Sequence, residues 1–247
     1  MSKSLGNGVD PRDIIRTHSA DALRFVMASI ATSTQDVRLP LDLVCPHTNK
    51  TFTPEFVTSP SGHVVTAPVQ QCPDDPSLKM VTVYGALSGE AEPTDDCPMA
   101  TNSSAKFDLG RNLATKLWNA SRFALAKIES PSDELKVDEL EYVDRWMLAR
   151  VSSTLQTIET ALDQFQVNVY ADAVYDLVWR DFCDWYLECI KPTVADSPTQ
   201  QRVLQSVLDA ILRIMHPVCP FVTETIWPHV QSHGAAGGTM LQLPPSE

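Results

Sequence analysis

The chain has 247 residues, of which 43% are hydrophobic and 20% charged, a composition typical of a globular protein and too apolar for a disordered one. Its formal net charge of −12 excludes a protein that binds nucleic acid over its whole surface, because such binding needs a basic footprint. The first residues lack the apolar run of a signal peptide, and no stretch has the length and apolarity of a membrane span. The sequence therefore predicts a cytoplasmic protein with six reduced cysteines and no membrane partner.

Residues 1–44 predict a loop, a helix from about Ser19 to Ser29, and an extended stretch that ends at Pro40. The loop contains the tripeptide Ser2-Lys3-Ser4, which taken alone is also typical of a solvated tail. Within the helix, Asp21 and Arg24 are expected to cap and brace helices rather than to contact a substrate.

Residues 45–105 are rich in Pro, Thr, Ser and Asp and have no helical periodicity, which predicts an insertion of irregular or small β structure. Short strands are expected at 64–66 and 80–84. The segment also holds four potential zinc ligands, Cys45, His47, Cys72 and Cys97. Their spacing is far from the paired CxxC of a zinc ribbon, so we expect reduced, unpaired cysteines rather than zinc, and a knuckle that has lost ligands is the alternative.

Residues 106–247 have helical periodicity throughout and predict an antiparallel helix bundle. The first helix should span about 107–128, and a capping box of Asp138 and Glu141 should open the second. Three further helices are expected at about 169–190, 199–215 and 223–231. The apolar seam of the second helix is predicted at Leu148, Val151, Leu155, Ile158, Leu162 and Phe165. The predicted fold class is therefore mainly α, with a small β insertion.

The first bundle helix is also the basic part of this acidic chain, because residues 106–127 hold five Lys or Arg and one acidic residue. At 100° per residue, Arg111, Trp118 and Arg122 fall within about 40° of one another, and Asn112 and Asn119 lie on the adjoining face. Two guanidinium groups beside an indole suit phosphate contact and base stacking. The alternative is a solvated face whose tryptophan packs on a neighbouring helix.

Other pairs and clusters in the bundle have simpler interpretations. Asp181 and Asp184 are expected on a solvated helix face rather than as paired catalytic carboxylates. Aromatic residues at helical spacing usually belong to the core, which is the expected place of Trp179, Trp185, Tyr186 and Trp227.

Several motifs, in order along the chain, resemble the class I aminoacyl-tRNA synthetases of the valine type. MSKSLGN (1–7) resembles the KMSKS loop with the Leu-Gly-Asn that often succeeds it, and DALR (21–24) and QDVR (35–38) come next in the usual order. After the insertion, GRN (110–112), KLWNASRF (116–123) and DWYLE (184–188) are similar to the anticodon-binding bundle. HPVCPFVTETIW (216–227) is shared with the leucine and isoleucine enzymes, which are the alternative within the family.

This resemblance implies three segments: the KMSKS loop with a stem-contact segment (1–44), the insertion (45–105), and the anticodon-binding bundle (106–247). It implies that Lys3 acts on ATP in catalysis and that Ser2 and Ser4 help to hold the ATP phosphates, while tRNA contacts Arg111, Asn112, Trp118, Asn119 and Arg122. The motif's first lysine, the nucleotide-binding fold with its HIGH motif, and the editing domain are not in this sequence. The catalytic and editing domains would be its partners.

The resemblance therefore implies a part of a valine–tRNA ligase, or an open reading frame that starts at an internal methionine of such a protein. We expect the chain alone to bind tRNA, and not DNA, without catalysing ligation. A free-standing RNA-binding module and a protein-interaction helix bundle are the alternatives from other functional classes.

Overall fold

The computed structural model describes residues 5–32, 39–135 and 137–231, with the backbone alone at Gln231. These residues form two compact units, one made of residues 5–19 with 39–108 and the other of residues 20–32 with 109–231. Helices dominate the described residues, which confirms the mainly α fold class. The division into 1–44, 45–105 and 106–247 stays a prediction. No helix in the described ranges is both long and apolar enough to cross a membrane.

The first unit is a small β structure with two short helices. Its helices are α1 (Pro11–Thr17) and α3 (Val83–Ser88), and its strands are β1 (Asp42–Val44), β2 (Thr51–Phe52), β3 (Phe56–Thr58), β4 (Val64–Thr66), β5 (Val69–Gln71), β6 (Lys79–Val81) and β7 (Thr101–Ser103). Strand β1 lies between β2 and β7 in an antiparallel sheet, while β3–β4 and β5–β6 form two hairpins. A core cluster of Leu43, Cys45, Cys72, Met80 and Ala100 lies on or beside β1, β5, β6 and β7.

The two strands expected in the insertion have different outcomes. The strand at 64–66 is confirmed as β4, which pairs with β3 in the register Val65 to Val57. The strand expected over 80–84 is wrong beyond Val81, because Thr82 ends it. The Thr82 hydroxyl accepts a hydrogen bond from the amide of Gly85 at 3.1 Å, which caps α3.

The second unit is helical. It contains α2 (Ala20–Ile30), α4 (Lys106–Leu125, from residue 109 onward), α5 (Tyr142–Asp163), α6 (Val167–Tyr175), α7 (Leu187–Ile190), α8 (Pro198–Met215) and α9 (Pro220–Gln231). A π-helical stretch, Asp176–Tyr186, runs between α6 and α7, so residues 167–190 are helical throughout. These bounds agree with the predicted bundle helices to within three residues at each described end, except at the start of the second helix.

The predicted seam of α5 is partly wrong. The buried positions are Asp144, Met147, Val151, Thr154, Ile158 and Ala161, which repeat every three or four residues. Of the predicted seam, Val151 and Ile158 are buried, but Leu155, Leu162 and Phe165 are 46%, 49% and 87% exposed. The predicted seam and the observed buried face share Val151 and Ile158. The sequence favoured the predicted seam because it contains three leucines, whereas the observed face includes Asp144 and Thr154, which weaken its apolar pattern.

The capping box predicted at Asp138 and Glu141 is also wrong. Residues Val137–Glu139 form a 3-10 turn, and α5 begins at Tyr142 with Glu141 at its N-cap. The carboxylate of Asp144 accepts a hydrogen bond from the Glu141 amide at 3.3 Å. The same buried carboxylate accepts hydrogen bonds from the hydroxyl of Tyr186 at 2.9 Å and from the Gln200 amide group. Asp144 therefore closes the start of α5 with donors from two other helical segments.

Asp181 lies at a buried position, which corrects the expectation of a solvated face. Its carboxylate accepts hydrogen bonds from Arg150 at 2.7 Å and from Arg180 at 3.0 Å. Asp184 is exposed and pairs with Lys116, so the two carboxylates have separate partners. Among the aromatic residues, Tyr186 and Trp227 are in the core as expected, whereas Trp185 is 60% exposed.

Candidate nucleic-acid interface

Helix α4 is amphipathic, and its buried side fixes which residues face solvent. Leu113, Leu117, Ala120 and Ala124 repeat every three or four residues and are buried, so burial of this stripe holds the helix in the second unit. Leu109 lies one helical turn before Leu113 and would extend this stripe by helical spacing, but it is 40% exposed. The exposed positions of α4 are mostly polar or charged, and Leu109 and Trp118 are the exceptions.

The structure brings together the residues that the sequence proposed as the RNA-contacting set. All five lie on exposed positions of α4: Arg111, Asn112, Trp118, Asn119 and Arg122. From residue 111 to residue 122 the helix rises about 16 Å, which is enough to follow two or three nucleotides of a backbone. We call these five residues the α4 face.

Trp118 and Arg122 also line a groove between α4 and α9. The groove has a volume of about 300 Å³ and is lined by Trp118, Ser121, Arg122, Leu125, Ile226 and His229. Trp118 is 39% exposed, so one part of the indole contacts the groove while another part faces solvent. An indole, a guanidinium and an imidazole around an apolar floor suit a planar, polar ligand.

Sequence reasoning missed Ser121 in this groove. The residue is 1% exposed, and its hydroxyl has no hydrogen-bond partner among the described residues. A buried hydroxyl without a partner costs free energy, so it marks a place where a ligand can supply the missing bond. A serine within a helix gives no sequence signal of this kind, because its partners depend on α9.

Lys116 belongs to the basic cluster in sequence, but its charge is used inside the protein. Its ammonium group lies 2.5 Å from the Asp184 carboxylate and 3.8 Å from the centre of the Trp179 ring. The ring of Tyr175 stacks on that of Trp179, with centroids 5.4 Å apart. Of the five basic residues counted in 106–127, Lys116 therefore does not contribute its charge to the exposed surface of α4.

Two of the sequence motifs meet in the second unit. The carboxylate of Asp21 in α2 accepts hydrogen bonds from the amides of Phe221 at 3.1 Å and Val222 at 2.7 Å, the first turn of α9. The guanidinium of Arg24 donates to the carbonyl oxygen of Pro217 at 2.8 Å. Asp21 and Arg24 therefore brace helices, as expected, and they hold α9, which forms one wall of the groove.

Gly110 places α4 close to α2. A Cβ added at Gly110 would lie 2.7 Å from the Cα of Ala22, which is closer than real Cβ contacts allow. The glycine therefore permits a backbone approach that fixes α4 against the same helix that caps α9.

The proposed ATP-contacting residues Ser2, Lys3 and Ser4 lie outside the described residues. The segment that follows them is held within the first unit. The side-chain amide of Asn102 in β7 donates hydrogen bonds to the carbonyl oxygens of Gly6 at 2.7 Å and Gly8 at 2.8 Å. Gly6 has a φ of 60° and packs on the backbone of Tyr84 in α3. Asn102 and Tyr84 of the insertion therefore hold Gly6 and Gly8, which follow the SKS tripeptide in sequence.

The four cysteine and histidine residues weighed as zinc ligands are not gathered into one set. Cys45 and Cys72 are buried with their sulfur atoms 3.4 Å apart, while His47 Nε2 lies 3.0 Å from the carbonyl oxygen of Lys79. Cys97 closes a separate turn with Thr94. In the part of the chain that the structure describes, no group of three or more His, Cys, Asp or Glu side chains is placed to hold a metal ion.

The Cys45 thiol has an unusual environment. Burial raises its pKa, but the polar groups around the sulfur (the Thr48 hydroxyl, the Cys72 thiol and the backbone amides of His47 and Thr48) outweigh burial and hold the pKa below the ordinary value. In the second unit, by contrast, burial raises the pKa of the Cys183 thiol to about 12.

Comparison with known families agrees with the motifs. Residues 144–246 match the anticodon-binding domain of tRNA ligases, and residues 1–40 match the class I tRNA synthetases for isoleucine, leucine, methionine and valine. The chain is 37% identical over 235 residues to a valine–tRNA ligase of Rhodopirellula baltica, with 93% of the chain and 22% of the relative covered. It is 31% identical over 229 residues to the valine–tRNA ligase of Thermotoga maritima, with 92% of the chain and 19% of the relative covered.

A third relative, the valine–tRNA ligase of Carboxydothermus hydrogenoformans, is 30% identical over 239 residues, with 95% of the chain and 20% of the relative covered. The chain thus spans about a fifth of the length of the curated relatives it matches. All three are valine–tRNA ligases, so the leucine- or isoleucine-type alternative is not favoured.

Proposed function

Because the chain belongs to the class I aminoacyl-tRNA synthetases and corresponds to the C-terminal part of the valine type, we propose that it binds tRNA through the α4 face and the groove beside it. The observation that carries this proposal is the half-exposed indole of Trp118 next to Arg122, above a buried Ser121 hydroxyl that has no partner among the described residues.

The two arginines supply the electrostatic part of the proposed binding. Arg111 and Arg122 are three helical turns apart on one side of α4, so they meet phosphates that lie on one stretch of RNA backbone. Each phosphate that an arginine neutralises releases counterions, which makes affinity fall as salt rises. Such local contacts are compatible with a net charge of −12, because they depend on charge near the RNA rather than on the total.

Trp118 and the polar side chains supply the contacts to bases. An unstacked base can lie on the exposed part of the Trp118 indole, and its edge can exchange hydrogen bonds with the Ser121 hydroxyl in the groove. Asn112 and Asn119 carry both donors and acceptors and can contact base edges along the adjoining face. These contacts would add selectivity to the phosphate contacts, which by themselves do not read sequence.

The activity of a complete valine–tRNA ligase is the wider part of the proposal. That enzyme would attach valine to tRNA at the expense of ATP in the cytoplasm, with Lys3, Ser2 and Ser4 near the ATP phosphates. The catalytic and editing domains of such an enzyme would be the partners of this chain. We propose that the chain alone binds tRNA and does not catalyse ligation, because it spans only about a fifth of the length of the valine–tRNA ligases that it matches.

The direct test measures binding of the purified chain to a valine tRNA and to a non-cognate tRNA at two salt concentrations. Tighter binding to the valine tRNA, weakened by salt, is the expected result. Replacing Arg111 or Arg122 by alanine should each reduce the slope of log affinity against log salt by about 0.7 to 0.9. A folded chain that binds both RNAs equally, or neither, would overturn the proposal, and so would unchanged slopes in both variants.

A further inference from the structure

The turn between β1 and β2 and the turn between β5 and β6 meet at a pair of buried thiols. Cys45 follows β1 and opens the turn 45–50, in which its amide donates to the carbonyl oxygen of Lys50 at 2.9 Å. Cys72 follows β5 and opens the turn 72–78, in which its amide donates to the carbonyl oxygen of Leu78 at 2.9 Å. Each cysteine is therefore fixed by backbone hydrogen bonds at the start of its own turn.

The two turns hold the sulfur atoms in direct contact. The Sγ atoms of Cys45 and Cys72 are 3.4 Å apart, and the two residues are 0% and 1% exposed. An ion pair at 2.9 Å between Lys50 and Asp74 joins the same two turns on the outside. A disulfide needs the sulfurs to approach to about 2.05 Å, so they must move about 1.4 Å closer, which small shifts of the two turns can supply.

The surroundings favour reaction at Cys45. The polar groups of its turn, among them the amides of His47 and Thr48, hold the pKa of Cys45 below the ordinary value, which favours the thiolate form that attacks disulfides. Both thiols are buried in the folded state, so a small reagent reaches them only after local opening, and we expect the exposed turn 73–77 next to Cys72 to be the segment that opens.

We propose that Cys45 and Cys72 form a covalent modification site, a dithiol that a low-molecular-weight disulfide converts into an intramolecular disulfide. The Cys45 thiolate attacks one sulfur of the reagent, forms a mixed disulfide and expels the other half as a thiolate. Cys72 then gives its proton to water and attacks Cys45 Sγ, which expels the second half. The two protein sulfurs are oxidised, and the reagent is reduced to two thiols that carry the two protons.

This site is independent of RNA binding and has its own structural consequence. The bond would link positions 27 residues apart and restrict the unfolded chain between them. The midpoint of thermal unfolding of the first unit should therefore rise by several degrees in the oxidised protein and return on reduction.

The test incubates the folded chain with oxidised glutathione, blocks remaining thiols with an alkylating reagent after denaturation, and maps the peptides by mass spectrometry. The expected product is a peptide pair joined through Cys45 and Cys72, without bound glutathione and reversible by dithiothreitol. In the Cys72→Ser variant, Cys45 should instead retain one glutathione. Cys183 and Cys219 are internal controls, because both are buried with raised thiol pKa values and should remain alkylatable.

Two results would overturn the proposal. One is that Cys45 and Cys72 remain fully alkylatable while the exposed Cys189 is modified, which would show an active reagent and an unreactive pair. The other is that Cys183 or Cys219 is oxidised as fast as Cys45, which would show reaction from a globally unfolded chain. Circular dichroism of the same samples separates this second case from a specific reaction.

Discussion

The carboxylate of Asp21 lies 2.7 Å from the backbone nitrogen of Val222, so a residue of the DALR motif caps α9, which begins within the HPVCPFVTETIW motif (216–227). The two residues are 201 positions apart in sequence, and Asp21 is buried. The contact links the start of the second unit to α9, the helix that supplies Ile226 and His229 to the groove. Stability of the bundle and the shape of the candidate RNA site therefore depend on the same carboxylate.

Replacing Asp21 by alanine should lower the free energy of unfolding by about 1 to 3 kcal/mol, because two amides of the first turn of α9 lose a charged, buried acceptor. Asp21→Asn should cost less, since the amide oxygen still accepts a hydrogen bond. Urea unfolding of the two variants beside the wild type measures the difference. Equal stability of Asp21→Ala and wild type would show that the cap contributes nothing.

Gly110→Ala should destabilise the second unit by about 1 to 3 kcal/mol, because the new Cβ would lie 2.7 Å from the Cα of Ala22. Gly8→Ala is the matched control, since no heavy atom lies within 4 Å of a Cβ at that position. Thermal unfolding of both variants by circular dichroism makes the comparison. A Gly110→Ala protein as stable as the Gly8→Ala protein would mean that α2 and α4 separate at no cost.

Raising the pH above about 10 should lower the free energy of unfolding of the second unit. Burial, with the nearby Asp144 carboxylate, raises the pKa of the Tyr186 hydroxyl, and burial also raises the pKa of Tyr170. The folded state then holds the phenolic protons more tightly than the unfolded state, so their contribution is intact below about pH 10 and is lost as pH rises above it. Above about pH 10, each such hydroxyl lowers the free energy of unfolding by about 1.4 kcal/mol per pH unit.

The check on this pH dependence is urea unfolding between pH 8 and pH 11 for wild type, Tyr186→Phe and Tyr170→Phe. Each phenylalanine variant should show a shallower loss of stability above pH 10, although both start lower because a hydrogen bond is missing. Parallel curves for all three proteins would contradict the assignment of the alkaline transition to these hydroxyls.

Asn102→Ala should loosen the chain that follows the SKS tripeptide, because the Asn102 amide donates to Gly6 and Gly8 at 2.7 and 2.8 Å. Loss of both hydrogen bonds at a buried site costs about 1 to 3 kcal/mol, so local amide exchange should accelerate by about 5- to 150-fold. Hydrogen–deuterium exchange over residues 5–10 measures this effect. Asn102→Asp is a second test variant of similar size. A carboxylate cannot donate these hydrogen bonds, so this variant should loosen the segment at least as much.

The sequence predicted the helices of the bundle well, because helical periodicity and proline positions are local signals. Helix α8 and residues 167–190 were found within two residues of their ends. The seam of α5 was missed because its buried positions include Asp144 and Thr154, whose burial depends on remote partners. Tyr186 and Gln200, which bind Asp144, are 42 and 56 residues away, so no local pattern reveals them.

In the candidate site too, features set by local helical geometry could be predicted, whereas features set by remote partners could not. The five residues of the α4 face follow from helical geometry, and the structure places all five on exposed positions. The withdrawal of Lys116 toward Asp184, 68 residues away, and the unpartnered hydroxyl of Ser121 depend on packing against other helices among the described residues. Trp185 was expected in the core and is exposed, since its spacing alone does not say which side of the π-helical stretch faces inward.

The measurement that tests the central claim most directly is the affinity of valine tRNA for wild type, Trp118→Ala and Trp185→Ala. Both tryptophans are exposed, but only Trp118 lies in the groove with Arg122 and Ser121. Loss of base stacking costs about 1 to 3 kcal/mol, so Trp118→Ala should weaken binding roughly 5- to 150-fold while Trp185→Ala leaves it within about two-fold. Unchanged affinity in a folded Trp118→Ala protein would contradict the placement of the tRNA site on α4.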